Sequence, residues 1–130
     1  MALPLPDVQY MADCTTFSHT VLPFLPQLQA LPTRISEAEK SLDSLKEIYL
    51  TTNPLVTAVA FCLSLAALVF IVSELTGNYS QVDRLWSILP TVYNGHFVLW
   101  ARMVGIQNQT LDTIAAISVI WSVRVFHSSV

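Results

Sequence analysis

The chain has 130 residues, a length that allows one domain, with 53% hydrophobic and only 12% charged residues. That balance is too apolar for an ordinary soluble domain of this size. A formal net charge of −3 without clustered Lys and Arg excludes a nucleic-acid binder, so no nucleic-acid partner is expected.

Seven of the fifteen charges crowd into residues 34–47, while residues 48–73 carry none, a segregation that reads as a membrane protein rather than a globular core. Cys14 and Cys62 are too few for a disulfide framework, and Cys62 reads as a small hydrophobe in an apolar run. His19, His96 and His127 are scattered with no partner at i+4, so no metal site is expected. The amino terminus lacks a positive n-region and is interrupted by Pro4, Pro6, Pro23, Pro26 and Pro32, which excludes a cleaved signal peptide. The first apolar span is then its own insertion signal, which points to the endoplasmic reticulum.

Residues 1–34 are expected to form a Pro-rich, irregular leader, apolar enough through Val21, Leu22, Phe24, Leu25, Leu28 and Leu31 to lie against a membrane but too broken to cross it. An amphipathic helix follows over 35–50. Ser36 and Glu39 have capping-box spacing, and Ile35, Ala38, Leu42, Leu45 and Tyr49 share one face. This helix reads as interfacial, with a short coiled-coil seam as the alternative. Thr51-Thr52-Asn53-Pro54 breaks it, with Asn53 able to cap and Pro54 suited to a first helical turn.

Residues 55–126 read as a membrane domain with spans near 55–75, 85–104 and 110–127. The first has no charge from Leu55 to Ser73, and its 21 residues at 1.5 Å rise cover roughly 31 Å, the thickness of a hydrocarbon core. Gly77-Asn78 supplies the stop. The second is charge-free from Leu85 to Ala101 but contains Pro90, Asn94, Gly95 and His96. Trp86 and Trp100 would stand about 21 Å apart on one helix, as an aromatic belt requires. Pro90 inside such a span frees a carbonyl and demands neighbouring protein or a cavity.

The third span opens at Thr110 or Leu111, with Asp112 in the first turn where the helix dipole favours an anion. It is apolar from Thr113 to Val123 and crosses only if Arg124 snorkels or is paired. The expected fold is therefore all-α: an integral membrane protein of about three transmembrane helices behind an amphipathic helix and a Pro-rich leader. Arg34, Lys40, Lys46 and Arg102 on one side against Arg84 and Arg124 on the other favour a cytoplasmic amino terminus.

The polar knot Asn78-Tyr-Ser-Gln-Val-Asp-Arg-Leu-Trp86 separates two membrane-length runs and must sit at an interface or face a cavity. Asp83 and Arg84 read either as an acid or substrate anchor, or as a structural interfacial ion pair. Trp86 and Trp121 read as belt or packing residues, with a substrate platform as the alternative. Asn78-Tyr-Ser80 and Asn108-Gln-Thr110 both fit the glycosylation acceptor pattern on opposite flanks of the second span, so at most one is lumenal. The isolated Gly77, Gly95 and Gly105 form no phosphate loop, no Ser/His/Asp set is supported, and no catalytic or cofactor-binding residue is assigned.

Asn78, Ser80, Val82, Asp83, Trp86, Ser87 and Pro90 resemble, at fixed spacing, the N-x-S-x-V-D-x-x-W-S-x-x-P segment of the DUF1295 family, which is related to steroid 5-alpha-reductase C-terminal domain membrane proteins. Trp121 and Arg124 are similar to the family's later Trp-Gly-x-Arg-Leu segment, with Ser122 and Val125 in place of Gly and Leu. The likeness covers residues 55–125 and omits 1–50. It implies an NADPH-dependent membrane oxidoreductase acting on enone or steroid-like lipids, with the bilayer, a lipid substrate and further helices as partners. It also implies that NADPH is bound by a carboxyl-terminal half, leaving no cofactor in this chain. Residues 126–130 depart from the family's basic, glycine-containing loop, and Asn94, His96 and Arg124 are polar residues expected to call for more helices than a three-helix bundle supplies, so a truncated, inactive amino-terminal part is expected. The alternative is a non-enzymatic membrane anchor or assembly protein.

Overall fold

A computed structural model describes residues 5–38 and 41–128, together with every side chain in that range except those of Gln81, Asp83 and Arg84. Among the described residues the chain is helical and has no strand. It divides into two compact units, Met1–Ala60 and Phe61–Val130.

In the first unit, the leader is more ordered than its prolines suggest. A 3-10 turn at Met11–Thr15 is closed by the Asp13 carboxylate, which accepts from the Gln9 and Tyr10 amides at 3.2 and 3.0 Å. The single turn α1 (Phe17–Thr20) and a 3-10 turn at Leu22–Phe24 lead into α2 (Leu25–Glu37). Pro26 falls in the first turn of α2, where a missing N–H costs nothing, and only Pro32 lies in the helix interior.

The helix expected over 35–50 starts later. Ser36 belongs to the last turn of α2 and donates to the Thr33 carbonyl, while Glu39 lies outside the described residues. Ser41 is the cap instead: its hydroxyl accepts from the Ser44 amide at 3.2 Å and opens α3 (Leu42–Thr51). Both serines suit a cap by residue type, and the extended backbone at Ala38 (ψ 124) ends α2 between them.

The Arg34 guanidinium ties α2 to the end of α3, donating to Thr51 Oγ1 at 3.0 Å and Thr52 Oγ1 at 3.4 Å. Gln27 Oε1 accepts from the buried Asn53 amide at 3.1 Å. Burial raises the pKa of Tyr49 above the ordinary tyrosine range. As expected, Asn53 caps the next helix, its Oδ1 accepting from Leu55 N at 2.8 Å, with Pro54 in the first position.

That helix, α4 (Pro54–Thr76), has 23 residues and is the one helix among those described that is long and apolar enough to cross a membrane. Only 11% of its most apolar window is buried, whereas the core helix of a soluble domain would be mostly covered. Leu63, Leu68, Phe70, Ile71 and Leu75 all stand exposed.

In the second unit, Gly77 takes φ 64 and stops α4, and a short helix α5 (Gln81–Trp86) carries the centre of the polar knot. The expected continuous span from 85 to 104 is broken at Ser87-Ile88. Pro90 therefore does not interrupt a helix. It lies in the first turn of α6 (Leu89–Val104), where an N–H has no partner within the helix to lose. With 16 residues, α6 is shorter than a normal span. The last helix, α7 (Gln109–Ser128), has 20 residues, but Ser118, Ser122 and Arg124 interrupt its apolar run.

Helices α6 and α7 form an antiparallel hairpin. Gly105 at φ 86 ends α6, and the Ile106 amide reaches back to the Ala101 carbonyl at 2.8 Å. Asn108 Oδ1 then caps α7 through the Thr110 and Leu111 amides at 3.0 and 3.3 Å. At the turn, Arg102 pairs with Asp112 at 3.1 Å, and at the open end Thr91 meets Ser118 and Ser122.

Candidate functional site

Within the second unit, α4, α5 and α6 enclose an apolar groove of about 350 Å³, inside the range of small-molecule sites. Cys62, Ala66, Val69 and Ser73 supply one stripe of α4, at steps of four, three and four that place them on a single helix face. Three of the four are small, and that is why the helix face is recessed. Leu89 and Tyr93 of α6 form the opposite wall, and Tyr79, Val82, Leu85 and Trp86 close one end. The Tyr93 ring meets Phe61 edge-on at 5.9 Å.

The groove brings together part of the sequence-predicted set. Trp86 lines it and is 72% exposed. Trp86 and the buried Trp100 stand on different helices, so the two do not form a belt along one span. Asn78 and Ser80 are structural neighbours: Asn78 Oδ1 accepts from both the Ser80 amide at 3.1 Å and the Ser80 hydroxyl at 2.8 Å, a local turn leading into α5. Asn108 makes the corresponding turn before α7, so in both glycosylation-type triplets the asparagine is engaged as a local acceptor. Asp83 and Arg84 lie on α5, with side chains outside the described set.

Trp121 and Arg124 stand apart from this groove on α7. Trp121 lines a separate apolar recess of about 400 Å³ with Pro90, Asn94, Ile114, Ile117 and Ser118, and Arg124 is exposed. Among the described residues no cluster of three or more His, Cys, Asp or Glu is placed to hold a metal.

Sequence reasoning missed Ser73. It is 3% exposed, lines the groove, and its hydroxyl has no hydrogen-bond partner. The one available signal was a serine near the end of an otherwise aliphatic helix, which burial alone makes notable.

The residues lining the groove fit a lipid-like molecule and do not fit NADPH. They include no Lys or Arg among the described side chains, and a dinucleotide's phosphates require cationic or clustered amide donors.

Among the described residues the class of protein so defined is all-helical, with one helix of membrane-crossing length and composition and an apolar groove beside it. Residues 69–129 match the family DUF1295, described as a protein of unknown function, so this segment carries that family's pattern from the end of α4 through α7. The chain is also 30% identical, over 128 residues and 98% of its own length, to "Uncharacterized protein C594.04c" of Schizosaccharomyces pombe. It spans 36% of that relative's length. No solved structure matches.

Proposed function

We propose that these 130 residues form the membrane-inserted amino-terminal part of a DUF1295 protein that acts as a steroid 5-alpha-reductase-like, NADPH-dependent oxidoreductase on enone or steroid-like lipids. The observation that carries this reading is the ordered motif from Asn78 to Pro90, followed by Trp121 and Arg124, inside the matched segment and directly after an exposed apolar helix. In this reading α4 crosses the bilayer, and α6 and α7 enter beside it as a hairpin, giving three spans in the endoplasmic reticulum. NADPH is held by residues outside this chain. The chain alone is then inactive.

The reading is tested with membranes containing the full-length S. pombe relative and, in parallel, membranes containing only the present chain. The expected result is NADPH-dependent loss of the enone chromophore in the first and none in the second. Failure of the full-length protein across a panel of enone lipids removes the reductase assignment. Turnover by the short chain removes the placement of the NADPH site outside it.

A second reading, a non-enzymatic membrane anchor or assembly subunit, is favoured by how little of the apolar window of α4 is buried. Under it the chain resists alkaline extraction from membranes and co-purifies with a fixed partner, and loss of NADPH leaves both behaviours unchanged.

A further inference from the structure

Polar side chains fasten the α6–α7 hairpin at both ends. Thr91 donates to the Ser118 carbonyl at 2.8 Å and meets the Ser122 hydroxyl, and Arg102 pairs with Asp112 at 3.1 Å. Asn94 lies between these fastenings, the sixth of the 16 residues of α6, and among the described residues nothing hydrogen-bonds to its carboxamide. Asn94 is half-buried, yet its carboxamide is not sealed in. Ser73 Oγ is the one described side-chain nitrogen or oxygen that is both buried and unpaired.

The surface around Asn94 has the form of a helix seat. Asn94 lines the 400 Å³ recess with Pro90, one turn earlier on α6, and with four residues of α7. Those four, Ile114, Ile117, Ser118 and Trp121, fall at i, i+3, i+4 and i+7, the spacing with which one helix face docks another. Ile114, Ile117 and Trp121 are large, apolar and exposed. An open carboxamide in that setting is costly in hydrocarbon, where no water serves it. Lipid chains would cover the isoleucines and the tryptophan but leave the amide unpaired. A carboxamide offers both donors and an acceptor, so two copies related by a two-fold axis satisfy each other, whereas any other partner must supply a matching group of its own.

We propose that this face binds a second copy of the chain, α6 and α7 packing against the same two helices of the partner, with the two Asn94 carboxamides hydrogen-bonded across the axis. Ile117 and Trp121 supply the apolar contact beside them. The proposal rests on the reading that α6 and α7 lie in the bilayer, because in water the solvent serves the amide as well as a partner does.

The test uses the whole chain in density-matched micelles, where analytical ultracentrifugation separates monomer from dimer. A dimer is expected, weakened at least about ten-fold by Asn94→Leu, the worth of two interhelical hydrogen bonds, and retained by Asn94→Gln. Asn94→Leu should keep the helical circular dichroism of the parent, because Asn94 holds nothing within its own chain. In a Cys14→Ser, Cys62→Ser background, Ile117→Cys should oxidise to a linked dimer faster than Leu99→Cys, which stands about 140° round α6 from Asn94. In vesicles Leu99→Cys should also escape a membrane-impermeant maleimide, which checks the bilayer reading separately. A monomeric parent, a dimer indifferent to Asn94→Leu, or equal oxidation at the two cysteines overturns the proposal. If Leu99→Cys is then shielded, the bilayer reading stands and only the second copy is excluded. If it is labelled, both fall together.

Discussion

Thr91 and Ser122 face each other hydroxyl to hydroxyl at 2.5 Å, joining the first turns of α6 to the last turns of α7. Thr91 also donates to the Ser118 carbonyl at 2.8 Å, so the Ser122 hydroxyl supplies the proton of the shorter contact. With the Arg102–Asp112 pair at the opposite end, the hairpin is fastened at both extremities by polar contacts.

Thr91→Val keeps the shape of the side chain and deletes both contacts. In a bilayer or micelle, where interhelical hydrogen bonds contribute about 0.6–2 kcal/mol, it should destabilise the hairpin by that amount. Ser122→Ala should cost less, because Thr91 keeps the Ser118 carbonyl. Reversible unfolding of the two variants in mixed micelles gives the comparison, and equal losses would contradict this division of roles.

The Arg102–Asp112 pair behaves differently because its side chains are 66% and 44% exposed. A double-mutant cycle with Arg102→Ala and Asp112→Ala should return a coupling below about 1 kcal/mol that shrinks as salt is raised. A larger, salt-insensitive coupling would mean the pair is shielded in the membrane.

Two glycines should respond to alanine with opposite signs. Gly105 has φ 86 with nothing within 4 Å of an added Cβ, so Gly105→Ala meets only backbone strain, about 1–2 kcal/mol of destabilisation. Gly95 lies inside α6 without a positive φ, also in open space, so Gly95→Ala should stabilise by about 0.5–1 kcal/mol. Thermal unfolding by circular dichroism distinguishes them.

Gln27→Ala removes the acceptor for the Asn53 amide, in a residue only 4% exposed. The loss should be about 1–3 kcal/mol, the cost of an unpaired buried donor, and Gln27→Glu should recover most of it by keeping an acceptor oxygen. Hydrogen exchange at the Asn53 amide should accelerate in the alanine variant alone.

Legibility in the sequence followed the range of the interactions. The helix from Pro54, its Asn53 cap and Asp112 in the first turn of α7 were all readable, because each depends on residues a few positions apart. The choice of Ser41 over Ser36 was not, because both are serines followed by a helical pattern, and the break in α2 that separates them carries no Gly or Pro. Pro90 was misplaced for a related reason. Its apolar neighbours read as one run, while the turn at Ser87-Ile88 that makes it a first-turn proline has no strong local signal.

The sequence by itself determined helices in place of strands, a charge-free run from Leu55 to Ser73 and a polar knot behind it, since hydropathy and helix-end chemistry are local properties. Only the tertiary structure decided that the α4 stripe from Cys62 to Ser73 faces α5 and α6 across a groove. The same holds for Thr91, which finds Ser122 31 residues away. Those facts depend on the facing of helices distant in sequence, and the periodicity of an almost uniformly apolar helix gives no preferred side. A helix that is apolar all round does not announce which face will be covered, and so it left Ser73 to be found by its burial.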